Sequence, residues 1–191
     1  FKPLPAGFVH TPPNDVSALE QLFAEQGDEI CAIMLECVQG ESGVHPCTKE
    51  FLEAVRNLTK EHGALMVCDE VQTGIFRCGT PFGFQHFGVT PDIVTMAKGI
   101  ASGMPMGACA APAHIAKAYQ PGDHGSTFGG SCLAVAAATA TLDTLSNGFQ
   151  QHVQETGEYM RQQLAGVSKV KDVRGVGLMN AIDFDESVDA P

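Results

Sequence analysis

Two short apolar runs, each stopping on an ionisable residue, constrain this chain more than any other feature. Ala64-Leu65-Met66-Val67-Cys68 stops on Asp69-Glu70, and Ile93-Val94-Thr95-Met96-Ala97 stops on Lys98-Gly99. Runs of this length, flanked by polar and glycine residues, read as buried strands of a parallel sheet. Val71-Gln72-Thr73-Gly74 between them reads as a turn region. An earlier run, Ile30-Cys31-Ala32-Ile33-Met34-Leu35, stops on Glu36. It is joined to Ala64 by a segment with helical spacing at Phe51, Leu52, Val55 and Leu58, opened by Thr48 or Pro46 and ending near His62-Gly63. The Lys, Glu and Arg residues of that helix are expected on a solvated face. The strand–helix–strand order predicts right-handed parallel connections. Open α/β sheets bind ligands at the carboxyl ends of their strands. A carboxylate at Asp69 and an amine at Lys98 are therefore expected at one crevice.

That pair suggests a chemistry. A buried lysine loses its proton readily and forms a Schiff base with a carbonyl. Pyridoxal phosphate needs such a lysine, and an acid partner for its ring nitrogen. A carboxylate beside that nitrogen favours the protonated ring by roughly 1–3 pKa units. Spacing alone leaves a plainer alternative open, in which Asp69-Glu70 caps a strand and Lys98 is a surface residue.

The remaining segments arrange themselves around this centre. Phe1 to Pro13 is proline-rich and extended, and Asn14-Asp15 can cap a helix through Ser17–Phe23 that closes at Gly27-Asp28. Glu36 to Val44 is a glycine-punctuated loop that adds Glu36 and Glu41 near the same strand ends. Ser102–Ala108 leads into a small-residue strand, Ala108–Ala111. In His124-Gly125-Ser126-Thr127-Phe128-Gly129-Gly130, hydroxyls among glycines can offer donors to a phosphate. Leu133–Leu145 is an alanine-rich helix broken at Ser146-Asn147-Gly148. A second helix, near Phe149 to Ala165, carries Val153, Met160 and Leu164 on one face, and Val170–Phe184 reads as a strand pair. A large domain over 1–147 and the start of a small one over 148–191 are expected. The chain begins with Phe1 rather than Met and stops after an incomplete element, so it is expected to be an internal portion of a longer polypeptide.

Bulk properties narrow the class. Hydrophobic content is 44% with no long apolar run, and nothing reads as a signal peptide or a membrane span. A net charge of −11 argues against nucleic acid and anionic membranes as partners. The seven cysteines are scattered, odd in number and lack a C-x-x-C pair, and the histidines lack ligand spacing. No metal site is expected. The thiols suit a core in a reducing, cytoplasmic setting.

Asp69-Glu70-Val71-Gln72-Thr73-Gly74 followed by Ala97-Lys98-Gly99 resembles the signature of class III aminotransferases. The similarity runs from Phe1-Lys2-Pro3-Leu4-Pro5-Ala6-Gly7-Phe8 to Val173-Arg174-Gly175-Val176-Gly177-Leu178-Met179. It implies the α/β architecture of pyridoxal-phosphate fold type I: a mostly parallel sheet with helices on both faces, and the start of a small C-terminal α/β domain. It also implies a homodimer with shared active sites. Lys98 then carries pyridoxal 5'-phosphate and moves protons, Asp69 partners the ring nitrogen, Val71 packs on one ring face and Gln72 bonds the phenolic oxygen. Thr127, with Ser126 beside it, binds the phosphate of the neighbouring subunit. Glu41 forms a gate with a C-terminal arginine beyond Pro191, and Glu36 supports it.

The implied reaction moves an amino group from N-acetylornithine to 2-oxoglutarate, a step of arginine biosynthesis. Ornithine, succinylornithine or 4-aminobutyrate as donor, or a non-catalytic subunit on this fold, are the alternatives. Departures from the family pattern are Cys37 in place of proline, Phe76 and Cys78 in place of glycine and threonine, and Ser131-Cys132 in place of Asn-Pro. The family's phosphate loop and ring-stacking aromatic fall before Phe1, so the 191 residues alone are expected to be inactive.

Overall fold

Asp15 opens the first helix, α1 (Val16–Gln26), where its Oδ1 accepts the Ala18 N–H at 2.9 Å. That bond satisfies one of the donors a helix start leaves unpaired. These are observations on a computed structural model that describes residues 5–188. Phe1-Lys2-Pro3-Leu4, the start of the family resemblance, lies outside the described residues. Leu19 and Phe23, one turn apart, are the buried residues of α1. After β1 (Ala32–Leu35) the chain makes a small antiparallel pair, β2 (Val38–Gln39) with β3 (His45–Pro46). Thr48 then opens α2 (Lys49–Glu61) by accepting the Phe51 N–H, and α2 buries Phe51, Leu52 and Val55.

One residue of α2 departs from its expected solvated face. Arg56 is buried, and its Nη1 donates to Asp92 Oδ2 at 2.8 Å and to the Thr90 carbonyl. The same Asp92 oxygen accepts the Met66 N–H, so the pair fastens α2 to two strands. The charge is matched by Asp92 and hydrogen-bonded through Nη1, while the buried Nε has no partner among the described residues.

The main sheet continues with β4 (Leu65–Asp69), reached across α2. After the short helix α3 (Gly83–His86) come β5 (Ile93–Met96) and β6 (Ala108–Ala110). Strand order is β1-β4-β5-β6, with β1, β4 and β5 parallel and β6 antiparallel to β5. The reversal has a simple cause: the connection from β5 to β6 is a tight turn and a loop, whereas a parallel return needs a longer crossover. On β4, Met66 and Cys68 are fully buried against the α1–α2 side. Val67 and Asp69 face the other way and are half-buried.

Beyond α4 (Ala113–Ala116), α5 (Cys132–Ser146) packs Ala138 on Ile100 and Ala101. α5 starts at Cys132, and Ser131 makes no side-chain cap. Gly148, at φ +90°, turns the chain into α6 (Phe149–Ala165), followed by the hairpin β7 (Val170–Val176) and β8 (Met179–Phe184). The tip of that hairpin is pressed onto the 77–79 loop. Leu178 N–H donates to the Arg77 carbonyl at 3.0 Å, and a Cβ on Gly177 would collide with Arg77 and Cys78 backbone.

The family departures find places in this packing. Cys37 is fully buried with its Sγ 3.7 Å from Cys68 Sγ, and that contact together with burial holds its thiol protonated well above its ordinary range. Phe76 adopts φ +64° although its ring is buried. Left-handed backbone costs a side-chain-bearing residue about 1–2 kcal/mol. Burying an aromatic ring returns about 1.5–3 kcal/mol, so the substitution for glycine is sustainable.

Candidate active site

The β4–β5 pairing places Asp69 beside Thr95, and paired residues of parallel strands face the same side. Lys98 follows at the end of β5, as the first residue of a tight turn, Lys98–Ala101. The adjacency expected from the two runs is present, but Lys98 is exposed rather than buried, because the chain leaves the strand for the turn at that point. Its φ is +48° and that of Ser102, which closes the turn, is +46°. Residues held in this region persist when their surroundings enforce it, and they gather at functional sites.

Asp69 uses only one of its oxygens. Oδ1 accepts the Val71 N–H at 2.9 Å, the turn geometry that aspartate favours. Oδ2 accepts nothing from the described residues. Next to it, Thr95 Oγ1 is buried without a partner. A buried polar group left unpaired costs about 1–3 kcal/mol, so this open face suits a ligand that brings its own polar atoms. The set fits pyridoxal phosphate: a carboxylate oxygen for a protonated ring nitrogen, an amine one strand away, and an apolar side chain, Val71, at the turn between them.

Glu70, which the sequence reading treats only as part of a strand end, carries the loop. It is 1% exposed, and its carboxylate accepts from Thr73 Oγ1 (2.6 Å), Gly83 N (2.7 Å) and Phe84 N (2.9 Å). Burial pushes its carboxyl up, and those three bonds oppose the shift without cancelling it. A folded-state value above the unfolded one means that the folded chain keeps this proton to higher pH. The stability it contributes is full below the unfolded value and is lost as pH rises through the folded one. Glu70→Ala would strand two backbone donors in the interior. We expect a loss of about 2–5 kcal/mol by chemical denaturation, with Glu70→Gln costing less because it keeps one acceptor. A cost under about 1 kcal/mol for the alanine variant would remove Glu70 from this role.

Gln72 lies against the neighbouring loop. A Cβ on Gly40 would overlap the Gln72 amide, so with glycine there the amide lies directly against the loop backbone. Glu36 Oε2 accepts the Gly40 N–H at 3.1 Å and shapes that loop. Glu41, one residue on, is exposed and accepts no hydrogen bond among the described residues. Gln72 is thus met by Gly40 of the Glu36–Glu41 loop, and Lys98 follows three residues after Thr95, the strand partner of Asp69. Ser126 and Thr127 stand apart, on an exposed segment. Ser126 lines a cavity of about 1010 Å³ with β6 and the start of α5, and neither Asp69, Gln72 nor Lys98 lines it. A second cavity of about 640 Å³ lies between α5 and the 75–77 loop, again without them. Among the described residues no group of three or more His, Cys, Asp and Glu could hold a metal ion, and no helix is long and apolar enough to cross a membrane.

Sequence reasoning passed over Thr95, Glu70 and Arg174. Only Glu70 had a usable signal, since a second acid directly after a strand-end acid must face the opposite side of the strand.

The model of the family described as Aminotransferase class-III matches residues 1–191. The acetylornithine aminotransferase of Corynebacterium efficiens is 47% identical over 188 residues, 98% of this chain and 47% of that protein. The crystal structure of acetylornithine aminotransferase from Elizabethkingia anophelis superposes with a TM-score of 0.89 at 37% identity, covering 96% of this chain and 47% of that one. The ornithine aminotransferase of Toxoplasma gondii, with pyridoxal phosphate partially occupying its active site, gives 0.89 at 33% identity, covering 97% and 45%. This chain therefore spans about half the length of the proteins it matches. It belongs to the class III aminotransferase family.

Proposed function

We propose that this chain supplies the lysine, the ring-nitrogen partner and one ring face of a pyridoxal-phosphate-dependent aminotransferase working between N-acetylornithine and 2-oxoglutarate. The observation that carries the reading is the neighbouring placement of Asp69 and Lys98 at the ends of β4 and β5, with one Asp69 oxygen lacking a donor. When bound, the cofactor supplies an electron sink for bond breaking at the amino-bearing carbon. Asp69 holds the ring-nitrogen proton through its unused oxygen. Val71 covers one ring face, and the Gln72 amide, braced on Gly40, donates to the ring's oxygen. Lys98 anchors the cofactor and carries the proton to and from the substrate carbon. Thr127 and Ser126 serve the phosphate of a second copy's site, which accords with their distance along the fold from the Asp69 crevice. Glu41 and Glu36 form the substrate side, and the division at 147/148 separates the cofactor-binding part from a smaller C-terminal one. The protein acts as a homodimer in the cytoplasm.

The donor reading is supported by the relatives named acetylornithine aminotransferase. Ornithine is the second reading, favoured by the likeness to the Toxoplasma gondii protein. A donor panel with 2-oxoglutarate as acceptor, read as glutamate formed, tests both. N-acetylornithine is expected to give the highest kcat/KM. A preference for ornithine would replace the donor, and no glutamate from any donor despite bound cofactor would leave a non-catalytic subunit.

A further inference from the structure

The loop that carries Glu41 is held in place from the far end of the chain. Ser42, Gly43 and Val44 have φ of +66°, +116° and +55°, three successive residues with positive φ, of which only one is glycine. For a β-branched residue such as Val44 this is a genuine outlier. Within the 42–45 segment the support comes from His45, whose Nε2 meets the Ser42 carbonyl at 2.9 Å.

The external support is Arg174 on β7. Its Nε donates to the Gly43 carbonyl at 2.8 Å and to the Val44 carbonyl at 3.1 Å. Its Nη1 reaches Asp172 and Asp183, both at 2.7 Å, and Nη2 reaches the other Asp183 oxygen at 3.1 Å. Asp172 and Asp183 face each other across the β7–β8 hairpin. A Cβ on Gly43 would come within 2.8 Å of Arg174 Nη2, so the loop has glycine where the guanidinium lies against it. Half-exposed ion pairs alone contribute little. What sets this one apart is that the acids fix a largely buried planar fork whose remaining donor spans two carbonyls of a strained loop.

We propose that Arg174 is a positioning residue: by locking the Ser42–Val44 loop onto the C-terminal hairpin, it sets where the Glu41 carboxylate lies. The inference deepens the proposed function and rests on Glu41 facing substrate there. Glu41 follows Gly40, which is already pressed against Gln72, so a loop that relaxes at 42–44 shifts the carboxylate first. Lysine can replace the arginine only in part, because its three donors on one nitrogen cannot reach two carbonyls and two acids at once.

Amide hydrogen exchange on the cofactor-loaded protein tests the clamp directly. In Arg174→Ala the peptide over 40–46 is expected to exchange about tenfold faster or more, with Arg174→Lys intermediate and the β4 and β5 peptides unchanged. Unchanged exchange at 40–46 would overturn the proposal. Should Arg174→Ala loosen the whole protein, Asp183→Asn, which removes one of the two acids, decides by the same local measurement.

Kinetics test whether Arg174 acts through Glu41. Arg174→Ala and Glu41→Gln are each expected to shift KM for the dicarboxylate acceptor in the same direction, by up to about tenfold, with kcat largely kept. The double variant should shift it no further than the larger single. Shifts in opposite directions, or fully additive ones, would mean that Arg174 does not work through Glu41. If the unmodified protein forms no glutamate from any donor, the functional reading fails, while the exchange result still decides the clamp.

Discussion

Replacing Lys98 with alanine is expected to cut transamination by about 10⁴-fold or more while leaving the fold unchanged. A positioned proton carrier alone is worth about 10²–10⁴ in rate, and the cofactor anchor proposed for Lys98 would be lost with it. Stability is expected to stay within about 0.5 kcal/mol, because the side chain is exposed and makes no hydrogen bond among the described residues. The left-handed backbone at this position, φ +48°, adds a comparison that separates the two roles. Lys98→Gly removes the same amine but relieves the backbone, so it should be as inactive as Lys98→Ala and up to about 1–2 kcal/mol more stable. Steady-state rates and denaturation midpoints on both variants read this out. Turnover near that of the unmodified protein in either one would remove Lys98 from the chemistry. Equal stability of the two would mean that the turn at 98–101 stores no strain.

The elements near the site were legible because their signals are local. Asp15 and Thr48 announce helix starts by residue type, and the β4 and β5 runs end on polar groups that no buried strand would carry inward. The adjacency of β4 and β5 was expected from two similar runs that each stop on an ionisable residue, whereas the pairing of Asp69 with Thr95 came from the structure. What escaped depends on contacts between distant parts of the chain. Arg56 sits at a helix position that reads as solvated, and only Asp92, thirty-six residues later, makes burying it tolerable. The direction of β6 is set by a connection too short to cross over, a matter of length rather than of residue pattern. The exposure of Lys98 could not be read from the apolar run before it, because the turn begins just as the strand ends. Arg174 stood in a stretch read as one of a pair of strands, and its partners at Gly43 and Val44 lie some 130 residues away. Local patterns thus located the site, whereas its supports had to be found in the packing.

Asp69→Asn is expected to keep the local structure and lose about 10- to 150-fold in activity, the rate equivalent of a charge-assisted hydrogen bond worth roughly 1.5–3 kcal/mol. The geometry makes the substitution selective. The oxygen that accepts the Val71 N–H at 2.9 Å is retained by asparagine, so the turn carrying Val71 and Gln72 stays formed. The second oxygen, which has no partner among the described residues, becomes an amide N–H₂ and can no longer accept a proton-bearing ring nitrogen. Cofactor should therefore still bind, more weakly, in a site of unchanged shape. Asp69→Ala provides the contrast. It removes both functions, so it should lose at least as much activity and also about 0.5–1.5 kcal/mol of stability from the broken turn bond. Denaturation curves, cofactor titration and turnover on the two variants separate the oxygens. If Asp69→Asn stayed within a factor of two of full activity while Asp69→Ala lost stability alone, the carboxylate would serve the turn, and the ring nitrogen would have to find its partner elsewhere.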